Sequence, residues 1–238
     1  WKQLRDATVE ALLAARTTLI APSRSALDND LRLAPELAAL QSSIIPHGLS
    51  AWPRAPAPRT EPPHRSRLRL VIPGRVRRGK GAQLLEQVLP RLREYADVFL
   101  LGAGSDAHAF FGMDGAHILL DYRREELPDL LAGIAPDAAM LLPTVAETFG
   151  YTLSELRDLG LAVIATRMGA YAERIEDGVD GFLVEANADA IVARVSTLFS
   201  RRESLPIVRR RVAERGEPGL PAMASAYAKI LDLSATPA

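Results

Sequence analysis

Two glutamates and two basic residues carry most of the chemistry legible in this 238-residue sequence. Glu147 and Glu155 stand eight residues apart, across a short polar loop and an apolar run at helical spacing. On one helix, eight steps leave two side chains roughly 80° apart and about two turns separated along the axis. The amides of Thr148, Phe149 and Gly150 fall between them, at the expected positive end of that helix, where a phosphate is favoured. Earlier, the stretch PGRVRRGKG (73–81) offers Gly74 for a tight turn, Arg75 as a forked donor and Lys80 as a point charge. Arg75 and Lys80 together can neutralise a diphosphate, and can stabilise the charge that grows on it as an attached group departs. Hydroxyl acceptors at both ends, with donors for charge between, suit a sugar joined to a nucleoside diphosphate.

These side chains need a particular frame. Residues 138–142 form an apolar run that stops at Pro143, which cannot continue a central ladder. Phe149, Leu153, Leu156 and Leu159 then repeat at helical spacing, Gly160 supplies a left-handed stop, and 161–165 reads as a buried parallel strand. The first strand of this region is expected at 67–73. An amphipathic helix follows at 82–95, which Pro90 should kink or split. Further strands are expected at 98–101, 118–120 and 182–184, and helices at 124–132, 189–199 and 221–231. Such alternation implies an α/β fold, a doubly wound parallel sheet whose ligands bind at the carboxyl ends of the strands. Upstream, a helix over 1–15, a strand over 17–21, a helix from Pro22-Ser23 to about Leu33 and a brief strand at 43–45 precede a proline-rich stretch, 49–66. Ser23 or Ser25 is the expected N-cap of the second helix.

With these elements in place, PTVAETFGYTLSEL (143–156) resembles the E-x7-E segment of retaining GT-B glycosyltransferases, the group 1 or family 4 type. GLAVIATRMGAYAERIEDGVDGFLVE (160–185) resembles the remainder of that family's C-terminal signature, and Arg75 with Lys80 its diphosphate clamp. The resemblance implies that Glu147 meets the donor sugar's hydroxyls and Glu155 the ribose diol. It implies that Gly102 and Gly104 line the donor cleft, and that Asp121, Tyr122 and Arg123 lie under the nucleobase. Tyr122 reads equally well as a stacking ring or an ordinary loop tyrosine. Gly169 and Glu173 match a "GG..E" turn whose second glycine is Ala170 here. The resemblance divides the chain into 1–45, the tail of an N-terminal acceptor-binding domain; 46–66, an interdomain linker; 67–216, a Rossmann-like donor-binding domain; and 217–238, a helix crossing back. The implied activity is transfer of a hexosyl unit, with retention, from a nucleotide sugar to a glycan or lipid-linked acceptor. Arg75, Lys80 and helix amides would serve in place of a metal, with no cofactor. The body of the acceptor domain, and any membrane contact it makes, lies outside this sequence, so the chain alone is expected to bind nucleotide without transferring sugar. A nucleotide-sugar-binding module of a larger synthase is the alternative.

A third reading comes from Gly102-Ala-Gly104-Ser-Asp-Ala107, a G-x-G-x-x-A run after a strand with Asp121 nineteen residues beyond Gly102. That is the pattern of an NAD-binding dehydrogenase. Against it, the run follows the second strand rather than the first, and Gly112 and Gly115 cut short its helix. Composition narrows the rest. Lys and Arg number 29 and so do Asp and Glu, so no net field recruits nucleic acid. Cysteine is absent, which excludes disulfides and thiolate metal sites and fits a cytoplasmic location or the inner face of a membrane. His47, His64, His108 and His117 show no ligand spacing.

Overall fold

The structure is a computed structural model that describes residues 1–52 and 66–231. The expected extended segment at 49–66 therefore lies mostly outside the described residues, as does the end of the chain. The N-terminal part comprises α1 (Lys2–Ala14), β1 (Leu19–Ala21), α2 (Arg24–Leu33), a 3-10 turn at Pro35–Ala39 and β2 (Ser42–Ile44). β1 and β2 pair in parallel, and Ser23 caps α2 by accepting from the Ala26 amide at 3.0 Å. That satisfies one of the donors a helix start leaves over.

The larger layer alternates as its sequence predicts. β3 (Leu68–Pro73), α3 (Ala82–Leu92), β4 (Ala96–Leu101), β5 (Ala116–Leu119), α4 (Leu127–Ile134), β6 (Ala138–Leu141), α5 (Tyr151–Asp158), β7 (Val163–Thr166), α6 (Ala170–Arg174), β8 (Phe182–Val184), α7 (Ala188–Ser200), α8 (Ser204–Arg215) and α9 (Leu220–Ile230) follow in order. The six strands β3–β8 form one all-parallel sheet in the order β5-β4-β3-β6-β7-β8. Central strands buried on both faces need apolar residues throughout, and β6 and β7 are buried at every position. One core, on the α3 and α7 face, holds Leu70, Val88 and Ile191; the other, on the α5 face, holds Val71, Leu153 and Leu156. The fold is the doubly wound α/β fold that the alternation implies.

Three local expectations need correction. Helix α3 runs unbroken through Pro90. Only two helical residues follow it, and both Pro90 and Glu86, whose carbonyl loses its donor, face solvent, where water can replace the missing bond. Helix α5 begins at Tyr151 rather than Phe149, because Gly150 takes a left-handed conformation (φ 80°) packed against the Tyr171 ring. Residues 105–110 after β4 form a 3-10 helix, not an α-helix.

Chain order fixes where a ligand can sit. From β3 the chain moves outward through β4 and β5, then returns to β6 on the other side of β3. The loops leaving β3 and β6 therefore diverge, opening a crevice at the sheet's switch point. Those loops are 74–81 and 142–150, which carry Arg75, Lys80 and Glu147.

Candidate functional site

In that crevice lies a cavity of about 340 Å³, lined by Gly74, Arg75, Arg77, Lys80, Glu147, Thr152 and Tyr171 among others. Two residues far apart in sequence meet in it. The Lys80 ammonium donates to Glu147 Oε1, the lysine 53% exposed and the glutamate only 14%. A lysine this exposed, on a flexible stem, can be drawn to a new partner, whereas the carboxylate is held.

Glu147 is held because its loop is fixed from several sides. Its carbonyl accepts from the Ala170 amide at 2.8 Å, and a Cβ on Gly169 would come within 2.5 Å of the Glu147 backbone. Thr144 bonds to the carbonyls of Gly79 (3.0 Å) and Arg78 (3.2 Å), tying this loop to the one that carries Lys80. Ser23, at the start of α2, donates to the Thr148 carbonyl at 2.6 Å, and Arg174 donates to the Phe149 carbonyl at 2.8 Å while stacking 4.0 Å over the Phe149 ring. Glu173 accepts from the amides of Arg24 and Ser25, both at 3.0 Å, so α6 also grips the N-terminus of α2. Burial, and secondarily the charge of Glu147, push the Tyr171 phenol above its ordinary range, so it stays a neutral donor beside the cavity.

The amides of Thr148 and Phe149 are displaced from their expected role. With α5 starting at Tyr151, they belong to the preceding loop, and only Gly150 stands at the helix terminus. For the same reason the angular relation of Glu147 to Glu155 is not helical: Glu147 lies outside the helix and Glu155 inside it.

The remaining residues come from the loops that leave β4 and β5 and from α5. Arg75 lies against Gly104, where a Cβ would come 2.7 Å from its Nη1, and pairs with Asp121 at 3.8 Å. Tyr122 lies against Gly102 at the same spacing, 2.7 Å from a Cβ built there to Cε1. Burial, and then the charge of Glu155, raise its phenol to about 12. Glu155, 15% exposed, pairs with Arg124 at 2.6 Å. Gly74, Arg75, Lys80 and Glu147 are thus assembled around the cavity, with Gly102, Gly104 and Tyr122 on the loops after β4 and β5 and Glu155 on α5. Arg123 is not part of this group, for its largely exposed side chain turns to Glu126 at 2.9 Å.

Sequence reading overlooked Thr152, Tyr171, Arg124 and Trp52. Thr152 had a signal, a polar side chain in the first turn after Gly150. Trp52, in a proline-rich stretch, is buried in the α5-side core, and Arg124 sits over its ring at 4.2 Å. The histidines scatter: His47 stacks on Tyr151 at 5.1 Å, His117 on Phe99 at 4.4 Å, and exposed His108 meets Phe111 edge-on at 5.0 Å. His64 lies outside the described residues. Among the described residues no cluster of His, Asp or Glu is placed to hold a metal, and no helix is long and apolar enough to cross a membrane. The dehydrogenase pattern loses its support, since Gly102 and Gly104 open a 3-10 turn rather than a phosphate-binding helix.

Residues 67–201 match the family described as Glycosyl transferases group 1. A D-inositol 3-phosphate glycosyltransferase of Arthrobacter sp. (strain FB24) is 30% identical over 134 residues, 51% of this chain and 31% of that protein. Among solved structures, Anabaena Alr3699/HepE in complex with UDP superposes with a TM-score of 0.72 at 17% identity, covering 91% of this chain and 64% of the other. The same protein in complex with UDP-glucose gives 0.65 at 15% identity, covering 94% and 75%. The chain thus spans about a third of the length of that curated relative.

Proposed function

The chain belongs to the group 1 glycosyltransferases, and from that premise we propose that it is the donor-binding half of a retaining GT-B enzyme. In this reading the enzyme transfers a hexosyl unit from a nucleotide sugar to a glycan or lipid-linked acceptor. The observation that carries the reading is the Lys80–Glu147 pair at the switch point, with Arg75 lining the same cavity and Glu155 on the helix that follows the Glu147 loop. On donor binding, Lys80 moves from Glu147 to the diphosphate and joins Arg75 there. Glu147, its loop held in place, then accepts from the sugar's hydroxyls, and Glu155 accepts from the ribose. The bond between the anomeric carbon and the phosphate oxygen breaks, and the nucleoside diphosphate leaves with the electron pair. The acceptor oxygen bonds to the same face of the sugar, and its proton passes to the departing phosphate. Arg75 and Lys80 stabilise the charge that develops on that phosphate, a task for which no metal is invoked.

Residues 1–45 are, in this account, the end of the acceptor-binding domain, and 217–231 the return crossing. The pairing of Leu49 with Gly219 supports this by laying the two connections side by side. Calorimetric titration with UDP, ADP, GDP and NAD tests the donor-site reading. One nucleoside diphosphate should bind and NAD should not; binding of NAD alone would refute it. NMR analysis of product anomers formed by the complete enzyme tests retention.

A further inference from the structure

The two candidate carboxylates have counter-ions of different kinds. Lys80 is exposed, with one contact to Glu147. Arg124 is held on three sides. Its Nε donates to Glu155 Oε1 at 2.6 Å, its Nη2 to the Ser50 carbonyl at 3.2 Å, and its face rests on the Trp52 ring at 4.2 Å. Trp52 is itself anchored, its Nε1 donating to Asp158 Oδ2 at 2.7 Å. Asp158 stands one helical turn beyond Glu155 on α5. The contacts therefore close a ring from Glu155 through Arg124, Trp52 and Asp158 and back along the helix. An ammonium could not substitute, since one planar group must donate in two directions and stack at once.

We propose that Arg124 is a positioning residue that fixes the orientation of Glu155, and that Ser50 and Trp52, in the segment after β2, thereby form part of the ribose-recognition apparatus. This rests on the reading of Glu155 as the ribose carboxylate. Arg124 holds one oxygen, and a carboxylate has further acceptor sites for two hydroxyls. Held in a single rotamer before the ligand arrives, Glu155 accepts from a cis-diol without first paying the side-chain entropy of ordering. The opposing effect, partial neutralisation of the charge by the arginine, is smaller here. A carboxylate only 15% exposed is costly to leave without a partner, and Arg124 at 2.6 Å keeps it in place.

The test is the ratio of affinities for UDP and 2′-deoxy-UDP, with the ADP and GDP pairs run in parallel, measured on this 238-residue chain. A general weakening of the fold lowers both affinities and leaves the ratio alone. The wild-type ratio should be on the order of ten or more, as expected for a charge-assisted bond. Arg124→Met should reduce it at least about threefold, and Arg124→Lys should recover only part of the loss. Should Arg124→Met fail to fold, Trp52→Leu removes the ring beneath the guanidinium while keeping the charge, and should reduce the ratio in the same direction. An unchanged or increased ratio in Arg124→Met or Trp52→Leu, with Glu155→Gln abolishing discrimination, overturns the positioning role and leaves the donor site standing. If Glu155→Gln also leaves the ratio unchanged, the ribose assignment fails and this inference with it.

Discussion

Replacing Lys80 with alanine should weaken nucleoside diphosphate binding more than replacing Arg75, for a reason visible in the ligand-free geometry. Each substitution removes a charge-assisted contact to phosphate, a loss of about 1.5–3 kcal/mol. Arg75 leaves behind Asp121, a largely exposed carboxylate at 3.8 Å whose pairing contributes about 0–1 kcal/mol. Lys80 leaves behind Glu147, only 14% exposed and then facing the incoming anion without a cation. Breaking a fully buried pair costs about 3–5 kcal/mol; the exposure of Lys80 discounts this to roughly 1 kcal/mol. Lys80→Ala should therefore cost about 2.5–4 kcal/mol, on the order of a hundred- to a thousandfold in affinity, against about ten- to a hundredfold for Arg75→Ala. Adding Glu147→Gln to Lys80→Ala should restore about fivefold, since the orphaned charge is gone. Isothermal titration with UDP and UMP at fixed ionic strength reads all of this, and the step between the two nucleotides should flatten in both single variants. Equal losses for UDP and UMP, or a double variant no better than Lys80→Ala, would refute the reasoning.

Other positions give independent checks. Gly169→Ala should lower both melting temperature and nucleotide affinity, because the new Cβ at φ 52° would come 2.5 Å from the Glu147 backbone; an unaltered affinity would show that the loop's placement does not matter. Asp180→Asn should destabilise by about 1–3 kcal/mol in urea unfolding, since buried Arg157, at 2.5 Å from Asp180, would lose that charge but keep Glu217 at 3.4 Å, while Arg215 loses its partner. Tyr122 should titrate near pH 12 in spectrophotometric titration. Its folded pKa lies above the unfolded value of about 10, so its contribution to stability is intact below pH 10 and is lost as pH rises towards 12. Glu155→Gln, which removes the secondary cause of that shift, should lower the titration midpoint without returning it to 10.

The sheet was readable in advance because its strands lie inside it. Residues 138–142 and 161–165 are apolar throughout, as a strand covered on both faces must be, whereas the switch point between β3 and β6 emerged only with the strand order. The Lys80–Glu147 pairing was not legible either, since it joins the two loops that diverge at that point. Helix α6, five residues long, is too short to display a period. Helix α8 does have one, Leu205, Val208 and Val212, but it is not among the helices expected from the sequence. The start of α5 was misplaced because Phe149 continues the helical spacing while Gly150 breaks the backbone. Nothing in sequence spacing joins Ser50 and Trp52 to Arg124 and Glu155; that contact exists only once the segment after β2 packs onto α5.

The most direct measurement of the donor-site account is a crystal structure of this chain soaked with UDP-glucose. The account places the diphosphate between Arg75 and Lys80, with Lys80 withdrawn from Glu147, the ribose at Glu155 and the sugar at Glu147. A nucleotide seated elsewhere, or one bound here with the Lys80–Glu147 pair undisturbed and Glu155 out of contact, would contradict it.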